Sequence, residues 1–147
     1  MTRITRSAIV PFSASAMYAL VADIESYPEF LPWCGGAQIL SVNGSEVRAS
    51  VDIAYKGVNK SFTTNNIQSE GERIEMSLIE GPFKKLHGIW NFSELDENAS
   101  KVSLNLEFEF SNALIGMTLG KVFSSIADTL VDSFCKRAEQ VYSQANE

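Results

Sequence analysis

The chain holds one histidine, His87. In LHGIWNF it alternates with Leu86, Trp90 and Phe92, so a strand here turns the imidazole toward water and the other three inward. A catalytic histidine needs a partner and a pocket, and this position reads as surface. Two carboxylate pairs are candidates for acid/base work: Glu107 with Glu109, and Asp128 with Asp132. Each pair falls on the polar side of its element, whereas working pairs flank a cleft. Cys34 and Cys135 are far apart and too few for a zinc cage or a disulfide framework. They read as reduced, mostly apolar core thiols. Metal-ligand spacing and a glycine-rich phosphate loop are both absent from the sequence. Gly116 and Gly120 form G-x-x-x-G in an apolar run. Either they let a helix approach its neighbour closely, or they loosen its first turns into a gate. With no inward acid/base set, the residues point away from an enzyme.

The elements that position these residues follow from periodicity. Residues 3–11 suggest a first strand ending at Pro11. Ser13 is a plausible N-cap for a short helix with Met17, Leu20 and Val21 on one face. From Gly35 to Phe110 the period is two. Val47, Ala49, Val51, Ile53 and Tyr55 share a face, as do Ile74, Met76 and Leu78, and then Val102, Leu104, Leu106, Phe108 and Phe110. Turn signals such as VNGSE, YKGVN, SEGER, EGPFK and LDENAS separate the runs. These are antiparallel strands, about six after the first, with one dry and one wet face. After Ser111 the period becomes helical over roughly 113–144. Leu119, Phe123, Ile126, Ala127, Leu130, Phe134, Ala138 and Val141 form one stripe, opposite Asp128 and Asp132. The only surface available to cover that stripe is the dry face of the sheet. The expected fold is α+β: a curved antiparallel sheet wrapped around a long C-terminal helix, with short helices after the first strand.

At 147 residues, one domain spanning 1–147 is expected. Composition is that of an ordered globular chain, with only the last residues, SQANE, expected to fray. The net charge of −6 disfavours broad attraction to DNA or anionic lipid. A local basic patch at Lys56, Lys60, Lys84 and Lys85 is compatible with it, and Arg3 and Arg6 lie near the start. The opening MTRITRSAIVPF mimics a leader, but Pro11 cuts its apolar core short. No stretch approaches the roughly 18 uncharged apolar residues of a membrane span, so the cytoplasm is the expected location.

Residues 26–34, SYPEFLPWC, are unusually apolar for a connection. Pro28 and Pro32 forbid a long helix there while allowing a single turn. Phe30, Leu31 and Trp33 either plug one end of a solid core or wall the mouth of a hollow one.

Three stretches resemble a known family: VPFSASAMYALVADIESYPEFLPWC, EGPFKKLHGIWNF and LNLEFEFSNALIGMTLGKVF. They are similar to the coenzyme Q-binding and polyketide-cyclase-like branch of the START (SRPBCC) superfamily, and within it to the bacterial RatA-type ribosome-association toxins. The resemblance spans essentially the whole chain. It implies a helix-grip fold with an elongated apolar cavity that takes ubiquinone or a similar polyprenylated lipid, in support of respiration, with no cofactor required. Carried onto this sequence, the cavity would be lined by Tyr27, Phe30, Leu31, Trp33, Tyr55, Met76, Trp90, Phe108, Leu119, Phe123 and Leu130. The RatA-type resemblance implies an alternative: a toxin that binds the large ribosomal subunit and blocks association with the small one, through Lys56, Lys60, Lys84 and Lys85. A third implied activity, polyketide cyclisation, lacks the inward acid/base groups it would need.

Overall fold

The computed structural model describes residues 2–145. Strand β1 (Thr2–Val10) leads into helix α1 (Ala14–Ala22) and a 3-10 turn (Ile24–Glu29). Six strands follow: β2 (Cys34–Asn43), β3 (Glu46–Tyr55), β4 (Val58–Ser69), β5 (Arg73–Glu80), β6 (Phe83–Asp96) and β7 (Ala99–Phe110). Helix α2 (Ala113–Ala145) closes the chain. Of the terminal SQANE, Asn146 and Glu147 lie outside the described residues.

The strands build one seven-stranded sheet in the order β1-β7-β6-β5-β4-β3-β2. Every neighbouring pair is antiparallel. β2 to β7 run as a meander, which needs only tight turns. β1 crosses over to pair with β7 from Thr2↔Phe108 to Val10↔Ser100. Its end at Val10 follows from Pro11, which has no N–H for the ladder.

α1 begins as its sequence dictates. Ser13 Oγ accepts from the Ala16 N–H at 3.1 Å, and Met17 and Val21 are buried. α2 lies across the dry face, against β1 and β7 and only lightly against β4. Leu119, Phe123, Ile126, Ala127, Phe134 and Ala138 bury its stripe. Length and composition alone would let α2 cross a membrane, but this stripe is packed on the sheet. Arg6 on β1 bonds Asp128, and Arg137 bonds Glu29 at 3.1 Å, so both flanks of the helix are tied by exposed ion pairs.

Two aromatic groups make the core. Phe123 meets Phe83 and Phe108 with ring centroids 4.8 Å apart. Phe134 meets Tyr27, Phe30 and Trp90, each at 5.4 Å. Gly116 and Gly120 face Phe110, where an added Cβ would sit 3.5 and 3.8 Å from the ring. Those are ordinary contact distances, so close approach to the sheet does not require glycine at either position.

One expected burial differs. Tyr55 continues the inward alternation of β3 on paper but is 38 % exposed. It is the last strand residue before a tight turn in which Lys56 and Gly57 both have positive φ. α2 does not cover this hairpin tip, and the Lys56 ammonium lies over the Tyr55 ring at 5.3 Å.

Candidate functional site

The gap between α2 and the β3–β4 side of the sheet leaves a cavity of about 90 Å³. Its sheet wall comprises Ala49 and Val51 of β3, Phe62, Thr64 and Asn66 of β4, Met76 of β5, Leu86 and Trp90 of β6 and Leu106 of β7. Its helix wall comprises Phe123, Ile126, Ala127, Leu130 and Phe134. Ile24 and Tyr27 close one side. The hollow exists because α2 leans toward β1 and β7, and because small residues face it from Ala49 and Ala127.

Of the residues expected at a cavity, Tyr27, Met76, Trp90, Phe123 and Leu130 line this one. Phe108 and Leu119 are buried in the core beside it, among the residues packed around Phe123. Leu31 is also fully buried, but outside the cavity lining and the main core cluster. Phe30 and Trp33 are half-buried at the core's margin. The guanidinium of Arg137 covers Phe30 at 5.0 Å. Tyr55 lies at the exposed hairpin tip. SYPEFLPWC therefore gives the cavity one residue, Tyr27, whose hydroxyl donates to the Val21 carbonyl at 2.5 Å. Burial, with smaller contributions from Cys34 and Asp23, holds that phenol far above its ordinary pKa. It stays protonated and its proton is already engaged.

Sequence reasoning missed Thr64 and Asn66. Both are buried, 6 % and 4 % exposed, and the Thr64 hydroxyl donates to Asn66 Oδ1 at 2.8 Å. The signal was available in FTTNNIQS, a strand whose inward register Phe62–Thr64–Asn66–Gln68 turns polar.

His87 sits on the outer face with Nε2 2.8 Å from Glu75 Oε2. That hydrogen bond is the main reason the Glu75 carboxyl falls below its usual pKa, with Arg73 and the imidazole charge helping. Cys34 and Cys135 are free thiols raised by burial. Among the described residues no group of three or more His, Cys, Asp or Glu gathers as metal ligands.

The meander decides where the lysines go. Turns alternate between the two ends of the sheet, so the β3–β4 turn carrying Lys56 and the β5–β6 turn preceding Lys84 share one end. Gly81 packs on Phe62, two residues from Lys60, which ties the two turns together. Lys85 is paired with Glu107 at 3.7 Å. Lys56, Lys60 and Lys84 are exposed and form no ion pair among the described residues. Glu80 is the carboxylate nearest these turns in sequence. The opposite end carries Glu46, Glu70, Glu72, Asp96 and Glu97 at or beside its three turns. In space Asp52, Glu107 and Glu109 share the lysine-bearing end: Asp52 lies opposite Ser61, next to Lys60, and Lys85 is the register partner of Glu109. That end thus carries both signs, with three of its lysines in no ion pair among the described residues.

Residues 10–135 match the family model for polyketide cyclase / dehydrase and lipid transport. The chain belongs to that family. Within it, the ribosome association toxin RatA of Pseudomonas aeruginosa is 45 % identical over 96 % of this chain and 98 % of its own. The RatA of Vibrio cholerae is 47 % identical over 98 % of this chain and all of its own. A more distant relative, the mitochondrial coenzyme Q-binding protein COQ10 of Dictyostelium discoideum, is 24 % identical over 92 % of this chain and 68 % of its own. The crystal structure of the Zhui aromatase/cyclase from Streptomyces sp. R1128 superposes with a TM-score of 0.80 at 18 % identity, covering 95 % of this chain and 94 % of that one. That likeness shows the helix-grip fold alone. The likeness to RatA proteins is far stronger than that to the quinone-binding relative.

Proposed function

We propose that the chain is a RatA-type, non-enzymatic ribosome-binding protein that occupies the large subunit and prevents it from joining the small one. The near-full-length identity to ribosome association toxins carries this reading. The lysine-bearing end supports it: Lys56, Lys60 and Lys84 are exposed and form no ion pair among the described residues, so they can meet ribosomal RNA despite the negative total. Such a protein works in the cytoplasm. Sucrose-gradient profiles after induction are the test. The expected result is loss of the 70S peak with gain of free subunits, and an unchanged 70S peak removes the reading.

The cavity supports a second role on a different surface. A mainly apolar hollow with a few polar groups, Thr64 and Asn66 among them, suits an apolar ligand. At about 90 Å³ it falls short of the roughly 300–1,000 Å³ of ordinary ligand pockets. A prenylated quinone would therefore enter only as α2 moves away from β3 and β4. Each methylene it buries contributes about 0.8 kcal/mol toward that opening. Lipid extraction of the purified protein, followed by mass spectrometry and by uptake of added ubiquinone, tests this role. Finding no bound lipid and no uptake removes it.

A further inference from the structure

The apolar walls of the cavity leave β4 unexplained. Its inward row places Thr64 beside Ala49 and Leu78, and Asn66 beside Val47 and Met76. Apolar side chains would fill these positions without penalty, whereas a buried amide is costly unless it is hydrogen-bonded. The Thr64 hydroxyl spends its one proton on Asn66 Oδ1 at 2.8 Å. This bond holds the amide plane and, with Oδ1 placed toward Thr64, leaves Asn66 Nδ2 with two protons. No hydrogen bond from Nδ2 is found among the described residues, and the atom keeps accessible surface in a residue that is only 4 % exposed and lines the cavity.

The geometry points to Asn66 as the hydrogen-bond donor for a carbonyl oxygen on an otherwise apolar ligand, with Thr64 as the residue that orients the amide. This rests on the ligand-binding role above and narrows it from any apolar molecule to one that carries a carbonyl acceptor. Among the other donors in the lining, the Tyr27 proton goes to the Val21 carbonyl and the Thr64 proton to Asn66, which leaves the Trp90 indole N–H as the alternative donor that Asn66→Leu tests against. Hydrocarbon alone would leave the amide unpaired, so the site discriminates against it.

Cyclopentanone and methylenecyclopentane are matched probes, alike in ring and shape and differing in C=O against C=CH2. Both are small enough to suit a cavity of about 90 Å³. Their affinities can be read from the Met76 methyl signal in NMR titrations of the folded chain, and the ketone-to-alkene ratio compared between proteins. The ratio is expected to fall roughly three- to tenfold in Asn66→Leu, the scale of one hydrogen bond, and by less in Thr64→Val. Comparing ratios cancels the probes' different hydration. If Asn66→Leu fails to fold, Thr64→Val decides alone, since it preserves shape and removes only the orienting proton. An unchanged ratio, with both probes still binding, overturns this inference and leaves the ligand-binding role standing. No Met76 response to either probe overturns both.

Discussion

Gly88 on β6 and Met76 on β5 are register partners that share one volume. A Cβ on Gly88 would lie 2.7 Å from Met76 Cε and 3.0 Å from Leu106 Cδ1. Both nearby atoms are ends of flexible side chains, so the fold can absorb an alanine. Met76 lines the cavity, and one direction open to a displaced thioether is into that space. Gly88→Ala is therefore expected to lower stability by about 1 kcal/mol, the low end of overpacking costs, and to reduce ubiquinone uptake more than that loss explains. Thermal melts and uptake assays on the same preparation check it. Full uptake by a folded variant would mean that ligand does not use this hollow.

The two lysine pairs should act as one surface. Lys84→Glu with Lys85→Glu, or Lys56→Glu with Lys60→Glu, is expected to weaken pelleting with the large subunit. Each lysine that meets a phosphate should take about one unit from the slope of log affinity against log salt. Glu70→Lys with Glu72→Lys changes charge at the opposite end and serves as the control. The ribosomal reading predicts little loss there. If net charge rather than the lysine-bearing end governed binding, this control would instead bind more tightly than the unaltered protein, by about as much as the lysine variants lose.

How far the sequence could be read depended on which residues reported their surroundings. Val102, Leu104, Leu106 and Phe108 alternate cleanly and are buried as their period demands. The stripe from Leu119 to Ala138 likewise announced both a helix and a partner face. Tyr55 misled because alternation records the side of a strand but not where the covering helix ends. Thr64 and Asn66 were passed over because a polar inward row breaks the pattern that marks a core. The cavity itself was illegible: Phe108 and Phe123 have the same character in sequence, yet only Phe123 borders empty space. That difference is set by the lean of α2 toward β1, a tertiary fact with no local signature.

Gly116 and Gly120 lie in the first turns of α2, where Leu114 and Met117 are 70 % and 79 % exposed. Their added Cβ atoms would make ordinary contact with Phe110. Alanine at each site should therefore stabilise the helix by roughly 0.5–1 kcal/mol, by removing glycine's backbone entropy. Denaturant melts of the single variants measure this. If a loose helix start is what admits ligand, uptake should also slow in the double variant. Unchanged uptake kinetics would exclude this end of α2 as the entrance.

The Glu75–His87 contact gives a pH-dependent prediction. The Glu75 carboxyl titrates below its ordinary value, chiefly because His87 Nε2 bonds it. A depressed folded pKa means the pair supports the fold at pH above the ordinary glutamate value of about 4.3. That support is lost as pH falls through the lower folded value. In His87→Leu, which removes the donor, the Glu75 carboxyl is expected to move back up toward the ordinary range, and the acid limb of the stability curve to flatten slightly. Carbon-13 NMR of the carboxyl measures the first effect and urea melts across the acid range the second. Glu75 titrating identically in both proteins would show that the hydrogen bond does not form in solution.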